Sequence, residues 1–178
     1  MTGTASPDFD MQHYSSFATV DEKGLEKFLT FKVAGERYGC EIINIKEIIG
    51  YCKMTRVPLT PGEIQGVINL RGSVLPVINL AKRLGKTSRK PDKKTCIVIC
   101  GVEDRIGVIE IGFLVDEVDQ VVDIAGARIE EPPQFGTDVK VEYIGGMGDI
   151  DGSFIVLLNI DEILSVTELS SLISANLA

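Results

Sequence analysis

Polar residues without periodicity fill positions 1–27, and an apolar pattern begins at Phe28. Leu29, Phe31 and Val33 alternate with Thr30 and Lys32. Gly35-Glu36 offers a turn, and Tyr38, Cys40 and Ile42 alternate again, which predicts a β-hairpin. Ile42, Ile45, Ile48 and Ile49 then fall at helical spacing and predict roughly two turns of helix. Residues 51–57 read as strand, with Pro58 and Pro61 framing a loop. Residues 64–70 and 73–80 read as a second hairpin around Arg71-Gly72, followed by a short amphipathic piece ending at Leu84.

Residues 85–94 (GKTSRKPDKK) are basic and polar and contain Pro91, so they read as a linker. Beyond them, 95–101 and 106–115 predict a hairpin across Glu103-Asp104. Val115, Val118, Val121 and Val122 repeat the spacing of the earlier helical element. Residues 125–140 hold Pro132-Pro133 and two glycines, the mark of a long loop. A last hairpin turns at Asp151-Gly152. Asp161 is placed to cap a C-terminal helix over 161–178 carrying Ile163, Leu164, Leu169, Leu172 and Ile173.

The two halves repeat. A shift of 80 lays Ile64-Gln65-Gly66 on Ile144-Gly145-Gly146, Leu70-Arg71-Gly72-Ser73 on Ile150-Asp151-Gly152-Ser153, Asn79-Leu80 on Asn159-Ile160, and Leu84 on Leu164. A shift of 73 lays Gly39 on Gly112, and Ile42, Ile45, Ile48 and Ile49 on Val115, Val118, Val121 and Val122. Two ungapped matches in the same order indicate an internal duplication. Each copy is too small for a large sheet, so two small barrels sharing a core is the economical solution. The expected organisation is a disordered tail over 1–27 and a duplicated unit over 28–164. Its barrels lie at about 28–86 and 94–160, with the chain free to cross between them.

Composition narrows the function. The chain has 178 residues and a formal net charge of −8, which argues against nucleic acid and anionic membranes as partners. The longest nearly apolar run, 106–115, is broken by Glu110 and is too short to insert in a bilayer. The N-terminus shows no basic start or apolar core of an export signal. Cys40, Cys52, Cys96 and Cys100 form no C-x-x-C pair and sit in apolar stretches, so they read as free thiols of a reducing cytosol. Residues 28–86 carry 9 Lys+Arg and 4 Asp+Glu (9 − 4 = +5), whereas 94–164 carry 4 and 15 (4 − 15 = −11). That contrast fits solvated surface charge, or two faces built for head-to-tail assembly.

Catalytic machinery is not legible. His13 is the only histidine and lies in the tail, which leaves no His-dependent triad. Gly85-Lys86-Thr87 imitates the end of a P-loop, but Leu80 stands where its first glycine belongs. Asp149-Ile150-Asp151-Gly152 lacks the further carboxylates of a calcium loop and reads as a β-turn. The cysteines lack zinc spacing. No cofactor, metal or catalytic residue is expected.

Residues 61–80 (PGEIQGVINLRGSVLPVINL) resemble the signature of CheW-type chemotaxis coupling proteins. So do Tyr38-Gly39 with the Ile42/Ile45/Glu47-Ile48 segment, Gly112-Phe113-Leu114-Val115-Asp116, and Leu157-Leu158-Asn159-Ile160; the resemblance runs from about Phe28 to Leu164. It implies a mainly β fold of two five-stranded SH3-like barrels around a shared core, with short helices and a C-terminal helix. It implies a cytoplasmic, non-enzymatic adaptor at receptor arrays under the inner membrane. The adaptor would join the tips of methyl-accepting chemotaxis receptors to the histidine kinase CheA. The kinase's regulatory domain has the same fold, so contacts can close into rings, with further copies of the adaptor among the members.

By the same resemblance, the receptor hairpin would lie in a groove formed by Ile42, Ile45, Ile48, Val118 and Val121. Periodicity by itself leaves groove wall and core wall equally open for these five. Glu47 and Arg71 match a charged pair beside the groove, Gly66 would allow close backbone approach there, and Phe135 would anchor the kinase or ring contact. Glu130-Glu131 depart from the basic or neutral residues often found near that aromatic. Two other readings stay open: coupling in a related chemosensory system with another output, and a small-ligand-binding double barrel. No receiver domain is expected beyond the repeat, so a two-domain coupling protein is not the expected reading.

Overall fold

The computed structural model describes residues 24–58, 60–104, 107–132 and 138–165. The chain is mainly β. Its strands are β1 (Leu25–Val33), β2 (Glu36–Glu41), β3 (Ile45–Gly50), β4 (Ile64–Leu70), β5 (Ser73–Asn79), β6 (Cys96–Asp104), β7 (Gly107–Val115), β8 (Glu117–Ala125), β9 (Ile129–Glu130), β10 (Ile144–Ile150) and β11 (Ser153–Leu158). Two one-turn helices, α1 (Leu80–Arg83) and α2 (Ile160–Ile163), follow β5 and β11.

The strands form a six-stranded sheet ordered β8-β1-β2-β11-β10-β9 and a five-stranded sheet ordered β3-β6-β7-β5-β4. Neither half of the chain builds a sheet alone. The first sheet takes β1 and β2 from the first repeat, and the second takes β6 and β7 from the second. Parallel pairings stitch the halves together at equivalent places, Leu157↔Gly39 in one sheet and Val77↔Gly112 in the other. One large core fills the space between the sheets, including Leu29, Phe31, Tyr38, Val98 and Phe113. Each sheet also curls around a small cluster of its own: Ile68, Leu75, Val77, Ile97 and Ile99 in one, and Phe28, Ile124, Ile155 and Leu157 in the other.

The duplication is visible in detail. Arg71-Gly72 and Asp151-Gly152 turn their hairpins with φ of 53° and 87°, and 50° and 85°. Such left-handed pairs match the twist of antiparallel strands and explain the glycine at the second position. Asn69 Oδ1 and Asp149 Oδ1 each accept the following glycine N–H, at 3.1 and 2.9 Å. Asn79 and Asn159 cap α1 and α2, accepting from Lys82 N and Glu162 N. The expected cap at Asp161 is therefore corrected: Asp161 lies inside the first turn, where its charge suits the helix N-terminus.

The largest correction concerns the two predicted helical elements. Ile42–Asn44 makes one 3-10 turn, and Ile45 and Ile48 lie on strand β3. A bulge between Ile45 and Glu47 inserts one extra residue, so a spacing of three keeps Ile45 and Ile48 on one face. Val118 and Val121 lie on β8, where the irregularity opposite Leu29 and Phe31 has the same effect. A bulged strand has imitated a helical period.

Smaller differences follow. Residues 51–57 are not a strand; they contribute one bridge, Thr55↔Val67. β1 starts at Leu25, three residues inside the segment read as tail. The first turn is Ala34-Gly35, since Val33 pairs with Glu36. Glu103 and Asp104 belong to β6, where Asp104 pairs with Gly107, and the turn itself lies outside the described residues. Positions 1–23 lie outside them as well; of the helix expected over 161–178 the described part is one turn ending at Ile163, with Leu164 and Ser165 already outside the helix, and the remainder lies outside the described residues.

The charge contrast between the halves is not a contrast between two bodies. Because the strands cross, it is met within the molecule. Arg37 pairs with Asp119 at 2.8 Å, and Lys86 with Asp138 at 2.7 Å.

Candidate functional site

The apolar residues singled out for the groove come together. Ile42, Ile45 and Ile48 belong to the core between the sheets, and Val118 and Val121, half-buried, pack against it. β3 and β8 are repeat equivalents, and each is the edge strand of its sheet. The three isoleucines are 4%, 5% and 7% exposed, so they face the core beneath β3. What reaches solvent is the valine row on β8 and Ile43, whose side chain stands outside the 3-10 turn.

Glu47 and Arg71 form a bidentate pair, with Arg71 Nη1 donating to Glu47 Oε1 at 2.6 Å and Nη2 to Oε2 at 2.8 Å. Glu47 is on β3 and Arg71 turns the β4–β5 hairpin, so the pair ties together the two opposite edges of the five-stranded sheet. Parallel N–H···O bonds fix both position and plane, which a lysine at 71 could not do. Arg71 is held in its charged form first by the hydrogen bonds it donates to Glu47 and then by the charge of that carboxylate. Its side chain remains 74% exposed, so much of the guanidinium surface faces solvent.

Gly66 has its close approach inside the molecule. A Cβ there would stand 2.7 Å from the carbonyl oxygen of Thr55, because residues 54–55 run directly over β4. The close backbone approach at Gly66 is made by the chain's own 54–55 segment. Phe135 lies outside the described residues.

Pattern reading overlooked Arg83. Its side chain is 2% exposed; Nε donates to the carbonyl of Ile163 at 2.9 Å, Nη1 donates to Glu63 at 3.1 Å, and the guanidinium lies 5.1 Å from the Tyr143 ring centroid. It fastens α1 of the first repeat to α2 of the second. A signal existed: the shift of 80 lays Arg83 on Ile163, an apolar position.

Lys86 is a second overlooked junction. Burial lowers its pKa, but bonds to Asp138 and Glu36 outweigh that and raise it overall. The Lys86 bond in turn holds Asp138 below its ordinary value. Cys40, Cys52, Cys96 and Cys100 are all free thiols; Cys52 is half-buried and the others are buried. Desolvation raises the Cys40, Cys52 and Cys100 thiols, which leaves them poor nucleophiles. Among the described residues no group of His, Cys, Asp and Glu is arranged to hold a metal ion.

Comparison with known proteins agrees with this architecture. The CheW-like domain family model matches residues 27–168. The chain is 40% identical to a chemotaxis protein CheW of Bacillus subtilis strain 168 over 129 residues, 71% of this chain and 80% of that one. It is 31% identical to a chemotaxis protein CheW of Klebsiella aerogenes over 145 residues, 82% and 85% of the two chains. The crystal structure of scaffolding protein TtCheW from Thermoanaerobacter tengcongensis superposes with a TM-score of 0.71 at 33% identity, covering 79% of this chain and 92% of that one.

Proposed function

The chain belongs to the CheW-like domain family, and on that premise we propose that it is a non-enzymatic scaffold coupling chemoreceptor tips to the histidine kinase CheA. The observation that carries this reading is the family match over both repeats, 27–168, on a fold in which the equivalent strands β3 and β8 each form a sheet edge and both send side chains to the core between the sheets. A helical hairpin from a receptor fits such a pair of edges, with Val118 and Val121 at the surface and Ile42, Ile45 and Ile48 beneath. Glu47 and Arg71 present a rigid charged clamp at the margin of the five-stranded sheet, and Gly66 keeps β4 close under the 54–55 segment. Phe135 is the proposed anchor toward the kinase's regulatory domain, and toward further copies of the chain where rings close. The scaffold would work in the cytoplasm at receptor arrays beneath the inner membrane. Among the described residues no helix is long and apolar enough to cross it.

The test is kinase activation in a reconstituted receptor–kinase mixture. Arg71→Asp removes both clamp bonds and sets a carboxylate against Glu47. An exposed turn charge contributes little to folding, so the variant should stay folded while coupling falls by about tenfold or more. Ile45→Met should weaken receptor binding by reshaping the floor, at less than about 1.5 kcal/mol of stability. Coupling left intact by Arg71→Asp would reduce that residue to a turn charge.

A further inference from the structure

The two repeats differ at one end of their sheets. In the first, Asn79 Nδ2 donates to Gln65 Oε1 at 3.0 Å and to Ser88 Oγ at 2.9 Å, so side chains close the space beside the helix cap. In the second, the equivalent of Gln65 is Gly145, which has no side chain to reach Asn159. A cavity of about 300 Å³ remains there, lined by Phe28, Ile129 and Leu157 on its apolar side.

The wall of that cavity carries Glu26, Glu41 and Asp161. The repeat equivalents of Glu41 and Asp161 are Leu114 and Ala81, both apolar. The acidic character is thus a departure from the duplicated plan, as the missing plug is. Among the described residues no cation pairs with any of the three carboxylates, and they are not arranged as metal ligands. The two departures coincide in one place: an opening with an apolar floor, and negative charge at its wall.

We propose that this cavity receives an alkylammonium group, an aliphatic stem ending in a protonated amine. The stem would lie against Phe28, Ile129 and Leu157, and the ammonium would donate to Glu26, Glu41 and Asp161. The volume stands at the small end of ligand pockets and suits a chain of about five carbons. The amine comes either free, as a small molecule, or on a lysine side chain of a partner.

Gly145→Gln is the decisive variant. A Cβ at Gly145 would meet its nearest atom at 3.5 Å, an ordinary contact, so the glutamine can enter and bond Asn159 as Gln65 bonds Asn79. The full chain is titrated with n-pentylamine, n-pentanol and a lysine-containing peptide, and backbone amide shifts are followed by NMR. The amine should give saturable shifts at Phe28, Glu41, Gly145 and Asn159 in wild type and none in Gly145→Gln. Glu41→Gln should weaken it by about fivefold, the loss of one charged partner at roughly 1 kcal/mol. Saturation by the free amine assigns a small-molecule source, and saturation by the peptide alone assigns a partner's lysine. Equal binding of amine and alcohol, unchanged amine binding in Gly145→Gln, or no saturation by amine or peptide up to about 10 mM overturns the proposal, the last being weaker than a typical pocket ligand.

Discussion

Replacing Arg83 by methionine keeps the stem and removes the guanidinium that fastens α1 to α2. At least three interactions go at once: the bond to the Ile163 carbonyl, the ion pair with Glu63, and the stacking over Tyr143. The Ile163 carbonyl would lie beside an apolar side chain with no donor, a cost of about 1–3 kcal/mol. Glu63 loses its cation, but its side chain is 31% exposed and can rehydrate, so its share is smaller. Breaking a fully buried pair costs about 3–5 kcal/mol, and the partial exposure of Glu63 places this one near 3. For a chain of this length that lowers Tm by about 6–12 °C. Urea unfolding of wild type, Arg83→Met, Glu63→Gln and the double variant measures it. The double variant should cost less than the sum of the singles by at least about 0.5 kcal/mol, since both remove the same bond. A loss below about 1 kcal/mol for Arg83→Met, with additive singles, would mean that the residue merely fills space.

Glu41 has its pKa raised by burial first and then by Glu26 and Asp161, so the folded chain holds that proton more tightly than the unfolded chain. The resulting destabilisation is absent well below the ordinary value of 4.5 and complete above the raised one, so stability declines as pH rises through that window. Glu41→Gln should flatten the decline and raise stability at pH 7 by under about 1 kcal/mol, discounted for solvent exposure; a chemical denaturation series across pH reads it. Gly66→Ala should cost about 1–3 kcal/mol, because its Cβ meets the backbone of Thr55, whereas Gly145→Ala should be nearly neutral. A thiol reagent on native protein should label Cys52 slowly, its thiol being raised by desolvation, and reach the buried Cys40, Cys96 and Cys100 only on unfolding. Fast labelling of three or four thiols would mean that the core between the sheets opens readily.

The duplication carried most of what was legible. It placed the hairpins that turn at Arg71-Gly72 and Asp151-Gly152 with their paired glycines, because similar turn chemistry recurs at a fixed offset. Periodicity misled at Ile45 and Ile48 because a bulge lets a strand keep one face at a spacing of three. No local pattern distinguishes that from a helix, and only pairing with Val98 and Cys100 on β6 settles it. The crossing of strands between sheets was left open by the sequence, since each hairpin reads the same whichever sheet it joins. That crossing is why a charge contrast between halves did not become one between sheets. Of the site, the Glu47–Arg71 clamp came through resemblance, while Arg83 and the unplugged cavity needed the two repeats compared position by position. Differences at Arg83/Ile163 and Gln65/Gly145 were present in the sequence, but their meaning required knowing which atoms met across the repeats.

Co-sedimentation with assembled receptor signalling tips, with and without CheA, tests the central claim most directly. The chain should pellet with receptor alone, and CheA should enter the pellet in quantity only when the chain is present. Arg71→Asp should break this dependence without unfolding the protein. A chain that stays in the supernatant with both partners, or CheA that pellets equally in its absence, would contradict the account.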